Sequence, residues 1–228
     1  MRHLNVLIAC EESQAECMAF RAHGHNAFSC DIQPCRPNGH PEWHIKGDVT
    51  PYLRGVTQFR TMDKRHHHLS RWHLIIAHPP CTYLCKVSSV QLHTNPDLEI
   101  DWRGKKMWVN AERYVNLLQA RKFFLTCLDA DCDYLAVENP IPMALAELPR
   151  PSSFACPSWF GFKYTKKTLY WTRNLPPLMA EKIFANPKSL VRCSRGKYRS
   201  RTYPGLADAI AKQWGDYCVK ELGINMPG

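Results

Sequence analysis

A cysteine follows two prolines at the end of an apolar run in the segment HLIIAHPPC, which spans His73 to Cys81. The apolar run predicts a buried strand, and the prolines stiffen the loop that begins where the strand ends. Packing does not explain a thiol on such a loop. A nucleophile that must be held in a fixed direction towards a substrate would explain it. Because a cysteine thiolate is a strong nucleophile that can form a covalent intermediate, Cys81 is the candidate nucleophile. The alternative is that Cys81 is one more inert thiol in a cysteine-rich chain.

A carboxylic acid has a similar position in the segment YLAVENP, which spans Tyr134 to Pro140. This segment also predicts a strand that runs into a proline, and Glu138 lies near the end of that strand. An acid that protonates a ring nitrogen makes the neighbouring ring carbon electrophilic, so that a thiolate can add to that carbon. Cys81 and Glu138 together therefore predict addition to a pyrimidine ring.

Two aspartates follow further predicted strands. Asp31 lies at the end of the segment NAFSCDI, and Asp48 follows the segment HIKG. A carboxylate at the end of the second strand of an α/β sheet commonly binds a ribose hydroxyl, and a second carboxylate can accept from an adenine amino group. The two aspartates therefore predict a nucleoside-bearing cofactor, with ordinary loop aspartates as the alternative.

A scaffold that brings strand ends together is needed to position these residues. The predicted strands are 3–10, 26–32, 44–49, 73–78, 134–140 and 168–172; the predicted helices are 11–24, 105–130 and 204–223; and 86–104 is predicted to be a loop. Alternation of short apolar strands with helical patterns predicts an α/β fold, a Rossmann-like open and mostly parallel sheet with flanking helices. Ligands of such sheets bind at the carboxyl ends of the strands, where the reactive residues fall.

The composition limits the class of protein. The chain has 228 residues, 45% of them hydrophobic, which suits one domain with a sizeable core. The formal net charge of +10 favours a polyanionic partner such as nucleic acid. Eleven irregularly spaced cysteines predict free thiols in a reducing cytoplasm. The N-terminus does not resemble a signal peptide, and no apolar run reaches the roughly 20 residues of a membrane span.

One stretch near the C-terminus is dense in cations and tyrosine. Cations of this kind follow a phosphate backbone and aromatic rings stack on bases, so the stretch predicts a nucleic-acid surface. Its residues are Arg192, Arg195, Lys197, Tyr198, Arg199 and Arg201.

The segments HPPC and VENP resemble the Pro-Pro-Cys and Glu-Asn-Val motifs of the DNA (cytosine-5)-methyltransferases. More closely, the chain resembles short phage- and prophage-encoded proteins described as DNA cytosine methyltransferase-like, which share ACEESQ, CDI, HPEWHI, GDV, PPCT, ENP and a C-terminal QWG. The resemblance covers nearly the whole chain and implies a single methyltransferase-like domain, residues 1–228. It implies that Cys81 adds to carbon 6 of cytosine in DNA and that Glu138 contacts ring nitrogen 3. Carbon 5 then takes the methyl group of S-adenosylmethionine, and elimination frees the enzyme.

The resemblance also implies the remaining site residues. Asp31 would bind the cofactor ribose and Asp48 its adenine, within a cofactor site formed by Cys10, Glu11, Glu12, Asp31, Ile32, Asp48 and Pro79. The family carries a Gln-x-Arg-x-Arg motif with catalytic and phosphate-binding arginines. The nearest match here is TKKT, which places Lys166 and Lys167 there as catalytic or phosphate-binding cations, with a solvated strand edge as the alternative.

Two departures from the family pattern affect these expectations. The family's first motif, Phe-x-Gly-x-Gly, is replaced by the glycine-free ACEESQ, in which Glu11 or Glu12 would hold the cofactor's amino group. Only about 35 residues separate Thr168 from Tyr203, so a full target-recognition domain does not fit between them.

Other interpretations remain open. Cys30, Cys35, His40 and His44 are residue types that zinc accepts, but a loop facing the substrate is preferred to a metal site, and no metal is predicted. The rival functions are modification of free pyrimidine nucleotides, attachment of a different electrophile to the same carbon, and DNA binding without catalysis.

Overall fold

The protein is described from a computed structural model that covers residues 3–189 and 202–224. Seven strands form the main sheet in the order β10-β12-β9-β6-β1-β2-β3. These strands are β1 (Asn5–Ala9), β2 (Asn26–Asp31), β3 (His44–Lys46), β6 (Leu74–Ala77), β9 (Tyr134–Pro140), β10 (Ser153–Ala155) and β12 (Thr168–Arg173). The shorter strands are β4 (Gln58–Arg60), β5 (His66–His68), β7 (Leu98–Trp102), β8 (Lys105–Val109), β11 (Tyr164–Thr165) and β13 (Lys188–Ser189). The helices are α1 (Ala15–Ala22), α2 (Thr50–Leu53), α3 (Ser89–Leu92), α4 (Ala111–Leu128) and α5 (Pro204–Glu221).

Strand β1 lies at the centre of the sheet and is buried on both faces. Val6 and Ile8 face a core cluster that includes residues of α1 and α5, among them Phe20 and Trp214. Leu7 faces the opposite cluster, which includes residues of α4. A strand covered by helices on both faces reads as a continuous apolar run, which explains why the sequence signal at this strand is strong.

The central strands run parallel. Strands β3, β2, β1, β6 and β9 pair in parallel, whereas β12 and β10 are added antiparallel at one edge. The predicted Rossmann-like α/β fold with a mostly parallel sheet and flanking helices is therefore confirmed. The residues that follow β1, β2, β3, β6 and β9 emerge at one edge of the sheet, as the prediction required.

The prediction for 86–104 is wrong. This segment contains a 3₁₀ turn, Lys86–Ser88, then α3 and β7. The predicted helix 105–130 is also wrong in its first part, because residues Lys105–Val109 form β8 and pair antiparallel with β7. The side of β8 that carries Met107 and the fully buried Val109 packs on the core. The side chains here therefore alternate between the two faces of the strand, with a period of two residues rather than the helical period. Helix α4 begins only after Asn110, whose side chain accepts a hydrogen bond from Arg113 N at 3.0 Å.

The histidine-rich stretch 66–68 is strand β5, and it pairs with β4. His67 stacks on the buried Phe59 with 5.1 Å between ring centroids, which anchors the hairpin to the core. None of the helices in the described part of the chain is long and apolar enough to cross a membrane.

Candidate active site

The loop that carries Cys81 begins directly after β6. His78 N donates to Ala9 O at 2.9 Å, which extends the pairing of β6 with β1 by one residue. Pro79 is buried, and its carbonyl accepts from the Asn139 side chain at 3.3 Å. Cys81 O accepts from the backbone N–H groups of Leu84 and Cys85, both at 3.0 Å. The half-buried thiol of Cys81 therefore lies on a loop that is fixed from both sides.

Glu138 lies beside this loop because β6 and β9 are neighbours in the sheet. The register pairs Ala77 with Val137, so that His78 and Glu138 are the next residues along the two strands. His78 Nδ1 lies 3.3 Å from Glu138 Oε2, and His78 Nε2 lies 3.1 Å from Glu16 Oε2. The side chain of Glu16 is fully buried, whereas those of His78 and Glu138 are 15% and 16% exposed. One imidazole thus bridges two carboxylates at the edge of the sheet.

This bridge changes the protonation of its members. Burial alone would lower the pKa of His78, but the carboxylates of Glu16 and Glu138 outweigh it and raise that pKa well above its ordinary value. Burial alone would raise the pKa of Glu138, but its hydrogen bond to His78 and the charge of Lys166 lower the pKa of that carboxyl. Hence His78 is an imidazolium and Glu138 a carboxylate at neutral pH.

A third carboxyl group, that of Glu11, lies close to Glu16. Burial and the charge of Glu16 raise the pKa of Glu11 to about 7. Its oxygens accept from the backbone N–H groups of Glu16 at 2.8 Å and Cys17 at 3.3 Å. Glu11 therefore binds the N-terminal turn of α1, where a negative charge is favourable.

The Cys81 and Cys85 thiols interact with each other. Their mutual hydrogen bond and burial raise the pKa of Cys81, and Glu138 raises it further, whereas Lys166 lowers it. The same hydrogen bond lowers the pKa of Cys85 to about 5, although burial opposes this. The Ser88 hydroxyl oxygen lies 3.4 Å from Cys85 Sγ and also lowers the Cys85 pKa. The hydrogen bond between the two thiols thus favours ionisation of Cys85 over ionisation of Cys81.

The two predicted lysines face different ways. Lys166 lines a small cavity together with Glu138, Thr168 and Tyr203, and its charge acts on both Glu138 and Cys81. Lys167 is exposed, and its Nζ lies 4.4 Å from the ring centroid of Phe154. The structure brings Lys166 into the site and leaves Lys167 outside it.

The residues predicted for the nucleoside part of a cofactor lie together at the same edge. Burial raises the pKa of Cys10 well above its usual value, and the carboxylates of Asp31 and Asp48 both contribute, so they lie within electrostatic range of this thiol. Asp31 Oδ1 accepts from Gln33 N at 2.8 Å, and Asp48 Oδ1 accepts from Thr50 N at 2.9 Å. Burial raises the pKa of Asp31.

The other residues predicted for the cofactor differ in exposure. Ile32 is 71% exposed beside Asp31. Pro79 is buried, and it belongs to the loop of Cys81. Cys10 has a φ of 61°, a left-handed conformation that is uncommon outside glycine.

The glycine-free ACEESQ loop is held by side chains. Glu12 forms an ion pair with Arg36, with 2.7 Å between its Oε2 and the Arg36 Nε. The fully buried Gln14 accepts from His40 N at 2.6 Å and donates to Ser29 Oγ at 3.1 Å. Asp31 and Asp48 are carboxylates of the kind that the nucleoside part of S-adenosylmethionine requires, whereas Glu11 and Glu12, the acids predicted for its amino group, already bind other groups of the protein.

The four residues of types that zinc accepts do not form a metal site; they are Cys30, Cys35, His40 and His44. His44 uses both ring nitrogens, with 2.8 Å from Nδ1 to Ser29 Oγ and 2.9 Å from Nε2 to Gln33 O. His40 stacks on Trp43, with 3.8 Å between ring centroids. Within residues 3–189 and 202–224, no group of three or more His, Cys, Asp or Glu side chains is arranged to hold a metal ion. Cys30 Sγ instead lies 3.7 Å from Gly47 O.

The predicted nucleic-acid residues lie outside the described residues. They are Arg192, Arg195, Lys197, Tyr198, Arg199 and Arg201. Thr202 is the first described residue after them, and its hydroxyl donates to Glu16 Oε1 at 2.9 Å.

Four residues of the site were not predicted. Asn139 and Cys85 lie in the same short segments as Glu138 and Cys81, so their positions were visible in the sequence. His78 is also a titratable residue at a predicted strand end, a signal that would have identified it. Glu16 gave no such signal, because it is 62 residues away from His78 and meets it only through the packing of α1.

Comparisons with known proteins add a fold-level likeness. No family model and no curated protein matches the sequence. One similar solved structure is described as a DNA modification methyltransferase encoded within an Escherichia coli prophage. It has 13% identity and a TM-score of 0.40, and the match covers 75% of this chain and 46% of that one. Another is a triple-alanine variant of Spodoptera frugiperda DNMT2, with 13% identity and a TM-score of 0.34. That match covers 82% of this chain and 56% of the other.

The chain therefore spans about half the length of the two solved proteins. At these identities and TM-scores the likeness says nothing about the function of this chain.

Proposed function

We propose that this protein transfers a methyl group from S-adenosylmethionine to carbon 5 of cytosine in DNA through a covalent adduct on Cys81. The observation that supports this most is the pairing of Ala77 with Val137, which sets the loop of Cys81 beside Glu138. A nucleophile and an acid at adjacent strand ends, with Lys166 acting on both, are the groups that addition to a pyrimidine requires.

Each step of the reaction uses a group of this site. Cys81 gives its proton to the Cys85 thiolate, and its sulfur forms a bond to carbon 6 of the cytosine. The ring nitrogen takes a proton from the Glu138 carboxyl group, and the electron pair of the former 5,6 double bond makes carbon 5 nucleophilic. After methyl transfer, the carbon 5 proton passes to water, and the electron pair of that C–H bond re-forms the 5,6 double bond as the C–S bond breaks. Cys81 then takes its proton back from Cys85, and the ring nitrogen returns its proton to Glu138.

Asp31 and Asp48 would hold the nucleoside part of S-adenosylmethionine. This cofactor supplies an electrophilic methyl group when it is bound. Asp31 suits the ribose hydroxyls because it is the last residue of the second strand of the sheet. Cys10 and Ile32 would border the same site, while the buried Pro79 fixes the loop between cofactor and nucleophile.

Duplex DNA hides the target carbon inside the base stack, so the base must be flipped out before Cys81 can reach it. The net charge of +10 supports a polyanionic substrate. The basic stretch 192–201 is proposed to hold the phosphates, and phosphate contacts alone carry no sequence information. We therefore expect relaxed sequence preference and easier action on single strands.

The test is a mechanism-based trap. Duplex and single-stranded DNA carrying 5-fluorocytosine, and 5-fluoro-dCMP, are each incubated with the protein and S-adenosylmethionine. Mass spectrometry should find a DNA adduct that peptide mapping places on Cys81, and Cys81→Ala should form none. Cys156→Ala, which removes another half-buried thiol, is the matched control and should form the adduct.

The outcome separates the rival functions. An adduct with 5-fluoro-dCMP alone would assign the protein to free nucleotides. An adduct on Cys85 would show that Cys85, rather than Cys81, is the nucleophile. No adduct with any of the three substrates would contradict the proposal.

A further inference from the structure

The Glu16–His78–Glu138 bridge contains more than addition to a pyrimidine needs. A nucleophile and an acid would be enough. Glu138 nevertheless contacts His78 at 3.3 Å, and His78 contacts a second carboxylate, that of Glu16, at 3.1 Å. Thr202 Oγ1 donates to the other oxygen of Glu16 at 2.9 Å. Helix α1, the end of β6 and β9 thus each supply one ionisable member of the bridge.

We infer that His78, held by Glu16, is a positioning residue that orients Glu138 and stores the proton which Glu138 passes to the substrate ring. The inference rests on the proposed function, because it assigns a role within the same reaction. His78 and Glu16 do not touch the substrate. Both act through Glu138.

The stored proton resolves a difficulty in the proposed reaction. Glu138 is ionised in the unliganded protein, and a carboxylate has no proton to give. His78 carries one at Nδ1, facing Glu138 Oε2. When the substrate enters, the N–H bond at Nδ1 breaks, its electron pair stays on the imidazole, and an O–H bond forms on the Glu138 carboxyl group. The neutral imidazole keeps its Nε2 proton, which still donates to Glu16.

The same exchange runs backwards at the end of the reaction. The ring nitrogen gives its proton to Glu138, and the carboxyl group returns a proton to His78 Nδ1. No proton from solvent is required, because the total over the bridge and the ring is constant. This suits a site that is largely closed to water, with the side chain of Glu16 fully buried.

A purely structural role explains the bridge less well. Burying ionisable groups costs free energy, and the attraction between them rarely exceeds this cost, so a buried ion pair is weak evidence for stabilisation. Apolar residues would fill the same volume with less desolvation. The geometry is better explained by a group that must change its protonation beside Glu138.

Other charged or titratable groups also face the bridge, and they set the pH range in which the proton is available. Those that interact with its members are Glu11, Lys166, Tyr170 and Cys81, and Cys85 interacts in turn with Cys81. Lys166 opposes protonation of Glu138, and Glu11 adds negative charge near Glu16.

The first test uses the pH profile of adduct formation with 5-fluorocytosine DNA. In the wild type the proton resides on an imidazolium, so the rate should fall only at alkaline pH. In His78→Asn the proton must reside on Glu138 itself, a carboxyl group, so the alkaline limb should move to lower pH. The rate at neutral pH should fall by at least about tenfold, within the usual scale for proton-transfer groups.

Two further variants keep this test decisive. Glu16→Gln preserves the shape of the side chain and should move the alkaline limb in the same direction by a smaller amount, even if His78→Asn does not fold. His73→Asn removes another buried histidine, at the opposite end of β6, and should leave the profile unchanged. A uniform loss of rate with an unmoved profile in His78→Asn and Glu16→Gln would overturn the inference.

The second test does not need activity. Proton–nitrogen correlation spectra of histidine-labelled protein should show both ring nitrogens of His78 protonated at neutral pH, and Glu16→Gln or Glu138→Gln should lower the pH at which one proton is lost. A neutral His78 ring at pH 7 in the wild type would overturn the inference directly. If the wild type traps no cytosine substrate while His78 is doubly protonated, the proposed function fails but the stored proton is established.

Discussion

The two halves of the candidate site differ in how their charges are arranged. On the side of β6 and β9, His78 bridges Glu16 and Glu138, and the charge of Lys166 acts on Glu138. Glu138 and Lys166 both line a small cavity. On the side of β1 and β2, the Glu12 carboxylate is paired with Arg36, and Glu11 binds the start of α1. We call the first the proton-transfer half and the second the cofactor half, after the roles proposed for them. In the cofactor half, Glu11 and Glu12 hold their own loop.

This difference has a physical cause in the ACEESQ loop. Glycines at such a position let the backbone approach a ligand closely. The loop here has none, and its conformation is fixed instead by Gln14 and by the Glu12–Arg36 pair. A loop that is held by side chains has fewer groups left for a ligand, so the proposed cofactor would depend mainly on Asp31 and Asp48.

The largest effect is expected on the proton-transfer side. Glu138→Gln keeps the size of the side chain but removes its ability to donate and recover a proton. Methyl transfer should fall by about two to four orders of magnitude, the usual scale for a positioned acid. Single-turnover assays with tritiated S-adenosylmethionine measure this, and calorimetry should show cofactor affinity near that of the wild type. Full activity of Glu138→Gln would remove this residue from the mechanism.

The strands that position Cys81 and Glu138 could be predicted from the sequence, whereas the roles of these residues stay predictions. Cys81 and Glu138 follow continuous apolar runs, and strands buried on both faces give that signal irrespective of tertiary context. The hairpin of β7 and β8 was missed because Lys105 and Lys106 obscure the alternation of Met107 and Val109. The bridge was missed because its contacts join helix α1 to two strand ends, and no local pattern encodes a distance across the fold.

The second effect concerns the substrate and is a test of the basic stretch. Replacing Arg195, Lys197 and Arg199 together with alanine should weaken DNA binding and flatten its dependence on salt. Each phosphate contact that is lost should reduce the slope of log affinity against log salt by about 0.9 for duplex DNA. Fluorescence anisotropy between low and physiological salt measures the slope. An unchanged slope would mean that the phosphates are bound elsewhere on the chain.

A third change tests the cofactor half. Asp31→Ala should weaken S-adenosylmethionine binding by at least tenfold, about 1.4 kcal/mol, because the ribose loses its acceptor. Calorimetry measures this, and Asp101→Ala, which removes an aspartate of strand β7 that accepts from Gly104 N, is the control. Wild-type protein that gives no binding heat at millimolar cofactor would contradict methyl transfer and favour a different electrophile or DNA binding without catalysis.

The smallest expected effect is that of Cys85→Ser on the ionisation of Cys81, within the proton-transfer half. With both cysteines present, their hydrogen bond lowers the pKa of Cys85 to about 5, so the pair carries one thiolate throughout the neutral range. In Cys85→Ser that bond to a second thiol is gone, and burial and Glu138 both raise the pKa of Cys81. Thiolate at this site should then form only at alkaline pH, since a thiol whose pKa is raised stays protonated until the pH exceeds that value.

Iodoacetamide labelling followed by peptide mapping measures this difference. In the wild type the 81–85 peptide should react from mildly acidic pH upwards, whereas in Cys85→Ser its reaction at neutral pH should fall and recover as the pH rises. Cys127 is an internal standard, because burial raises the pKa of that thiol to about 12 and the residue is fully buried. Coinciding pH profiles for the two proteins would mean that Cys81 ionises without help from Cys85, and the proton acceptor for the nucleophile would then have to be sought among the other groups that face it.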